Sequence, residues 1–524
     1  MTGVVEIFVG LLLTVAVLAL VARKLHIPYP IFFVIGGLLL GWIPGLPQVR
    51  LDPNLVFLFF LPPLLFPAAL FTSWRDFRAN LRPISMLAIG LVLFTTFAVA
   101  FIAHYFIGLP LSVGFVLGAI ISPPDAIAAT AIAERLKIPR RIVTILEGES
   151  LVNDATALVI YRFAVAAVAS GTFAWVGVGA QFVLVSVGGV ALGLLIGWLA
   201  EQFHKRIEDA PIEITVSLLT PFVAYLAAER LQISGVLAVV TAGLYLGWRT
   251  PVILSSQTRL RGGPVWEMVE FLLNGFVFVL IGLQLPRVLH GLSDNAISIH
   301  RLIWYALLIS LTVVVIRILW VFPAAYLPRL LSKKLRKRDP YPAWQHIAII
   351  GWTGMRGVVS LAAALALNDG FPHRDLVLFL TFIVILATLV VQGLSLPFLI
   401  RWLGVEDDGS LEKEEREARL QANQAALARL DEFAKRDSMK TDALQRLRVE
   451  YEDHISQLAA AESKRAGSRL RLFSSEYERL SRVTLEQERR TIIHLRNQGV
   501  IGDEALRRIQ RDIDLAEVRL QEHQ

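Results

Sequence analysis

The chain has 524 residues, 55% of them hydrophobic, no cysteine and a formal net charge of +7, with a mean hydropathy of +0.58. The missing cysteines exclude disulfides and thiolate metal sites. The positive excess does not imply nucleic acid: residues 1–404 hold 29 Lys and Arg against 19 Asp and Glu, whereas 405–524 hold 22 against 25, so it belongs to the apolar part, where basic loops set topology.

Residues 1–404 form a train of apolar runs of about 15–30 residues, the length that crosses a hydrocarbon core of roughly 30 Å. From Val405 onward the runs stop, and roughly two residues in five are charged, a composition for water. Two parts are therefore expected: a transmembrane domain over 1–404 and a soluble helical cytoplasmic tail over 405–524.

The first run, Val4 to Val21, has its positive charges, Arg23 and Lys24, behind it. A secretory signal carries them in front, so this run predicts an uncleaved first helix with its N-terminus outside. The following runs span 31–44, 54–74, 83–107, 111–137, 141–170, 174–203, 211–230, 234–248, 265–285, 299–327, 343–368 and 373–403, about thirteen in all. On that count alternate loops carry about twenty Lys and Arg on one side and five on the other, a strong positive-inside asymmetry. It puts the tail in the cytoplasm.

Two runs are interrupted. The fifth contains Ser122-Pro123-Pro124-Asp125, where consecutive prolines remove two amide donors. The twelfth contains Gly351-Trp352-Thr353-Gly354-Met355-Arg356-Gly357. Irregular backbone at membrane depth survives only where it lines a cavity or is buried in protein. The breaks fall in the fifth of runs 1–6 and the fifth of runs 8–13, and broken helices at matching places in two halves point to a transporter with inverted repeats. The fold expected is an all-α polytopic membrane protein with two broken crossing helices.

Leu146 to Arg162 reads LEGESLVNDATALVIYR and places Glu147, Glu149, Asn153 and Asp154 inside an apolar run. Ionisable groups at bilayer depth are expensive and mark functional sites. On a helix Ser150 and Asp154 share one face, and Glu149 and Asn153 a neighbouring one. Asp154, the Ser150 hydroxyl and carbonyls freed at the Pro123-Pro124 break, Pro124 among them, offer oxygen ligands to a sodium-sized cation. A proton and a cation compete for one carboxylate, which is the logic of exchange. Since Asn153 is not a second acid, one cation for one proton without net charge movement is expected. The remaining mid-membrane charges need partners, and Asp125 with Arg356 and Glu149 with Arg317 are the expected pairs. Glu147 reads as structural, near a membrane face. The role of Arg162 stays open, and the scattered histidines carry no sensor pattern. Trp42, Trp74, Trp248 and Trp402 lie near span ends as interfacial anchors.

GESLVND followed by ATALVIYR resembles the signature of monovalent cation/proton antiporters, of the bacterial NhaP type related to animal sodium/proton exchangers. FLPPLLF (Phe60–Phe66), ISPPDAIAAT (Ile121–Thr130) and GMRGVVSLAAALAL (Gly354–Leu367) match as well. The resemblance implies thirteen helices in two inverted repeats, a homodimer and an elevator-like movement of the part that carries the site. It also implies Asp154 as ion and proton carrier beside Asn153 and Ser150. The chain departs from the family pattern at Pro67, where many relatives carry an acid, and at Pro124, where Thr is common.

The function expected is secondary exchange of Na+ (or Li+) for H+ in the cell membrane, with K+ kept open because of Pro67. It needs no enzymatic step and no cofactor beyond the transported ions. A membrane ion sensor signalling through the tail and a cation channel are the alternatives.

The tail is expected to be several helices broken near Asp437–Thr441, Gly467 and Gly499–Gly502. Its short stripe of Leu420, Leu427, Leu430 and Phe433 sustains no heptad pattern.

Overall fold

The computed structural model describes residues 2–25, 28–43, 56–171, 175–207, 209–293, 298–368, 370–407, 409–437 and 442–460, with isolated positions beyond. Among these residues there is helix and no strand. The chain divides into two compact units, Met1–Asp408 and Gly409–Gln524.

Among the described residues of the first unit thirteen apolar segments follow one another. They are α1 (Thr2–Leu25), α2 (Tyr29–Gly41), α3 (Leu61–Phe71), α4 (Leu81–Ile107), a fifth segment in two pieces, α5a (Leu111–Ile121) and α5b (Ile127–Arg135), then α6 (Arg140–Ser170), α7 (Trp175–His204), α8 (Ala210–Arg230), α9 (Gly235–Ile253), α10 (Ser256–Ser293), α11 (Ile299–Leu331), a twelfth segment in two pieces, α12a (Trp344–Trp352) and α12b (Val358–Leu365), and α13 (Arg374–Leu403). Among the described residues nine helices are long and apolar enough to cross a membrane alone; the others are shorter or broken. Burial is inverted relative to a soluble protein, with Leu13, Leu20, Leu184 and Leu311 more than half exposed while Arg317 and Arg356 are fully buried. An outer surface that faces lipid has no reason to hide leucine.

The helices pack in two groups. In one, α2 lies against α10, α7 against α9, and α9 against both α3 and α8; in the other, α4 and α6 flank α5a, and α11 packs on α4 and α12a. The α2–α10 crossing is close because Gly37 and Gly282 face each other's helix backbone, where a Cβ would collide with the carbonyls of Val279 and Val34. Small residues at such crossings let membrane helices approach without a hydrophobic driving force.

Both interruptions fall where the residues dictate. Pro123 and Pro124 cannot donate to the carbonyls of Ala119 and Ile120, so α5a ends at Ile121 and α5b starts at Ile127. The glycine-rich stretch separates α12a from α12b at residues 353–357. Sequence periodicity does not signal the π-helical turns Met86–Leu91, Ala103–Ile107 and Thr388–Gln392 within α4 and α13; such turns recur at functional sites.

The end of the unit where α6 begins is tied by charge. Asp339 accepts from Arg82 at 3.0 Å, Arg141 at 2.9 Å and Arg329 at 2.7 Å, joining α4, α6 and α11. Glu201 of α7 binds Arg249 of α9 at 2.6 Å and accepts from Tyr245. In the second unit α14 (Ser410–Asp437) and α15 (Asp442–Ala460) pack together, with Arg448 3.4 Å from Asp431. The tail break expected after Asp437 lies between them; those expected at Gly467 and Gly499–Gly502 lie outside the described residues.

Candidate functional site

The two broken segments are joined through their backbones. The Asp125 amide donates to the carbonyl of Met355 at 2.7 Å, and the Ala126 amide meets the Ser150 hydroxyl of α6 at 3.4 Å. The Asp125 carboxylate accepts from the Ile127 amide at 2.9 Å and from the Val358 amide. It thus caps the N-termini of α5b and α12b together. Those ends carry the positive pole of each half-helix, so one anion there satisfies both.

Arg356 does the converse. Its Nε donates to the carbonyl of Ile121 at 2.9 Å, Nη2 to that of Ser122 at 3.4 Å, and Nη1 to that of Gly354. These are carbonyls stranded where α5a and α12a stop. The Arg356 amide is taken by the Thr388 hydroxyl at 3.1 Å, at the π-helical turn of α13. The expected Asp125–Arg356 ion pair is therefore not formed. Each charge finds its partners in backbone dipoles of the broken helices, because a helix interrupted in a membrane leaves orphan groups of both signs within reach. Gly357 makes the junction possible: a Cβ there would overlap the Asp125 carboxylate.

Glu149 and Arg317 form a bidentate pair at 2.6 and 2.8 Å, with side chains 1% and 0% exposed. Arg317 Nε also donates to the Ile350 carbonyl at 3.1 Å, so this pair ties α6 and α11 to the last turn of α12a. Asn153 is buried and donates to the Pro124 carbonyl at 2.7 Å. On α6, then, Glu149 and Asn153 face neighbouring helices, while Glu147, Ser150, Leu151 and Asp154 face a cavity. The spacing 147, 150, 151, 154 is the helical stripe of one face.

That cavity, of about 500 Å³, lies at the seam of the two helix groups and is lined by α3, α5b, α6, α10 and α12b together with the break at Pro123–Ala126. Among the described residues its charged lining is Asp125, Glu147, Asp154, Glu267 and Glu270, with no Lys or Arg. Asp154 is 7% exposed. Ser150, Thr130 and the Pro123-Pro124 turn share the cavity with it, so every residue expected to ligate a cation borders one space. Pro67 lines it too, bringing no charge where the family pattern places one.

Sequence reasoning missed four contributors. Glu267 and Glu270 come from α10, in a run that looks like any basic-flanked span, and only the packing of α10 brings them to the cavity. Glu147, expected as structural, also borders it. Ser360 of α12b is 1% exposed, lines the cavity, and its hydroxyl has no hydrogen-bond partner among the described residues. A buried hydroxyl without a partner at a cavity wall requires explanation. Arg162, whose role stayed open, pairs with Glu229 of α8 at 2.8 Å, away from the cavity.

A five-carboxylate cavity between two half-helix junctions defines a membrane protein that handles cations. The comparisons agree. Residues 10–402 match the family model described as the sodium/hydrogen exchanger, transmembrane, and the chain belongs to that family. It is 37% identical to an uncharacterized Na+/H+ exchanger of Mycobacterium bovis over 98% of this chain and 96% of that one. It is 32% identical to the Na+/H+ antiporter ApNhaP of Aphanothece halophytica over 88% and 85%. A sodium, potassium, lithium and rubidium/H+ antiporter of Bacillus subtilis is 36% identical over 74% of this chain and 60% of its own. In fold it is similar to the sodium proton antiporter MjNhaP1 from Methanocaldococcus jannaschii, with a TM-score of 0.61 over 77% of this chain and 99% of that one at 20% identity.

Proposed function

We propose that this protein is a secondary active antiporter exchanging Na+ or Li+ for H+, one for one and without net charge movement, with Asp154 as the alternating carrier. The carrying observation is the cavity: Asp154 is buried at its wall, oxygen-bearing groups surround it, and the charged residues that line it are acidic among those described. A cation entering it exchanges water for the Asp154 carboxylate, the Ser150 hydroxyl and the second lone pair of the Pro124 carbonyl, whose first is held by Asn153. Protonation of Asp154 removes the charge that holds the cation, so each occupant excludes the other. Glu149–Arg317 and the Asp125 and Arg356 caps hold the two broken helices while this happens. The cycle needs alternate exposure of one site, no enzymatic step and no resident cofactor.

A second reading, K+/H+ exchange, is supported by Pro67, which brings no acidic group to the cavity, and by the similarity to the sodium, potassium, lithium and rubidium/H+ antiporter of Bacillus subtilis. The resemblance supports a homodimer. The positive-inside asymmetry supports a cell-membrane protein with its N-terminus outside and its tail in the cytoplasm.

The test is a pH-dye assay on proteoliposomes with Na+, Li+ and K+ over a pH series. Na+ and Li+ are expected to drive proton movement, with the half-saturating concentration rising as pH falls and the maximal rate held. Cation flux without proton counter-movement would overturn the assignment in favour of a channel.

A further inference from the structure

Between α11 and α12a the chain forms a short helix, Lys333–Arg338, that reads KKLRKR and holds five cations in six residues. All five are exposed, and among the described residues none of them pairs with an Asp or Glu. The acid next to them in sequence, Asp339, is taken by Arg82, Arg141 and Arg329. The helix is fixed at both ends. The Ser332 hydroxyl accepts from the Leu335 amide at 3.3 Å, and beyond Asp339 the Tyr326 hydroxyl of α11 donates to the Pro342 carbonyl at 3.2 Å. The Tyr341 ring lies 6.0 Å from that of Tyr326. Exposed apolar side chains stand on both sides: Leu330 and Leu331, 68% and 78% exposed, before the helix, and Tyr341 and Trp344 after it.

Basic residues at the end of a span are ordinary topology signals, but this arrangement conflicts with its own helix. Lys333 and Lys334 occupy the first turn, at the positive pole, where cations are unfavourable. Lys333 stands three and four residues from Arg336 and Lys337, and Lys334 likewise from Lys337 and Arg338, so like charges are neighbours on the helix surface. Local conflicts of this kind gather where a chain serves a function, and here anions from outside the chain relieve it. The flanking residues identify their source. A soluble polyanion has no use for exposed leucines beside its patch, whereas tyrosine and tryptophan next to leucine place the segment where hydrocarbon meets headgroups. Even upright, a helix of this length reaches only about 9 Å. All five charges therefore stay within about one Debye length, ~8 Å at physiological ionic strength, of that boundary.

We propose that Lys333–Arg338 is a docking surface for the anionic headgroups of the phospholipid bilayer, held by charge rather than by a shaped pocket, with the flanking leucines and aromatic rings setting its depth. The ties of Asp339 carry the contact to α4, α6 and α11, so anionic lipid grips the helix group that holds Asp154. The surface lies outside the acidic cavity, and the proposal stands whichever cation the protein exchanges.

The chain has no cysteine, so Pro340→Cys, at an exposed position beside the helix, takes a single fluorophore in the full chain reconstituted into phosphatidylcholine vesicles. Phosphatidylglycerol or phosphatidylcholine bearing the same nitroxide-labelled acyl chain is added at equal fraction, and quenching is compared. Phosphatidylglycerol should quench more strongly, with a local enrichment on the order of tenfold. An ionic strength of about 1 M, where the Debye length is about 3 Å, should make the two lipids equal. K333Q/K334Q/R336Q/K337Q/R338Q should do the same at low salt, and the salt response of the unaltered helix decides if that variant fails to insert. A fluorophore at Leu231→Cys, exposed after α8 beside the Arg162–Glu229 pair, should report no preference. Equal quenching by the two lipids beside the helix, an equal preference at both positions, or a preference that survives the five substitutions would overturn the proposal. So would a preference lost on removal of residues 405–524, which would assign the response to the tail.

Discussion

Asp154 shares its cavity with four other acidic residues, and what separates it from Glu267 or Glu270 is burial beside the broken helix rather than charge. The hydroxyl of Ser360 stands at the same wall without a partner. If it ligates the cation, Ser360→Ala removes one oxygen and the half-saturating Na+ concentration rises on the order of 5- to 10-fold, the worth of one polar contact to a charged group. The maximal rate stays near wild type, and unchanged half-saturation would remove Ser360 from the ligand set. Asp154 was legible in the sequence because a charge in an apolar run has few explanations. Ser360 was not, because a serine among valine, leucine and alanine carries no signal until its environment is known. Arg356 was legible as buried but was assigned the wrong partner: the sequence displays side-chain charges, whereas its acceptors are backbone carbonyls of Ile121, Ser122 and Gly354.

At the scale of the element, the broken helices are held by contacts that leave little freedom for substitution. Gly357→Ala places a methyl inside the Asp125 carboxylate, which must then leave the amides of Ile127 and Val358. Thermal unfolding in detergent should fall by several degrees and exchange should be lost; a variant as stable and active as wild type would refute the shared cap. Arg317→Ala strands Glu149 in a fully buried position, a change that costs about 3–5 kcal/mol when a buried pair is broken. Glu149→Ala added to it should recover much of that stability, since the stranded charge is gone, and no recovery would contradict the pairing. The helix breaks themselves were readable from Pro123-Pro124 and the glycine-rich run, because both residue types act through the local backbone. The π-helical turn at Thr388–Gln392 was not, because it answers to packing around the Arg356 amide.

For the molecule as a whole, two helix groups meet at a seam that holds the acidic cavity. Composition revealed the transmembrane character and the change at Val405, but which helices form the seam depends on tertiary packing. Removal of residues 405–524 is expected to leave exchange in proteoliposomes intact, since the acidic cavity is built from Met1–Asp408 alone; loss of exchange in a correctly inserted truncation would favour the sensor reading. On the proposed competition of protons and cations for Asp154, acidification should raise the Na+ concentration needed for half-maximal exchange, whereas alkaline conditions should lower it. The most direct measurement is Na+-driven proton movement in proteoliposomes containing Asp154→Asn. Abolished exchange in a protein that inserts and unfolds like wild type is the predicted result, and proton movement at the wild-type rate would contradict the account.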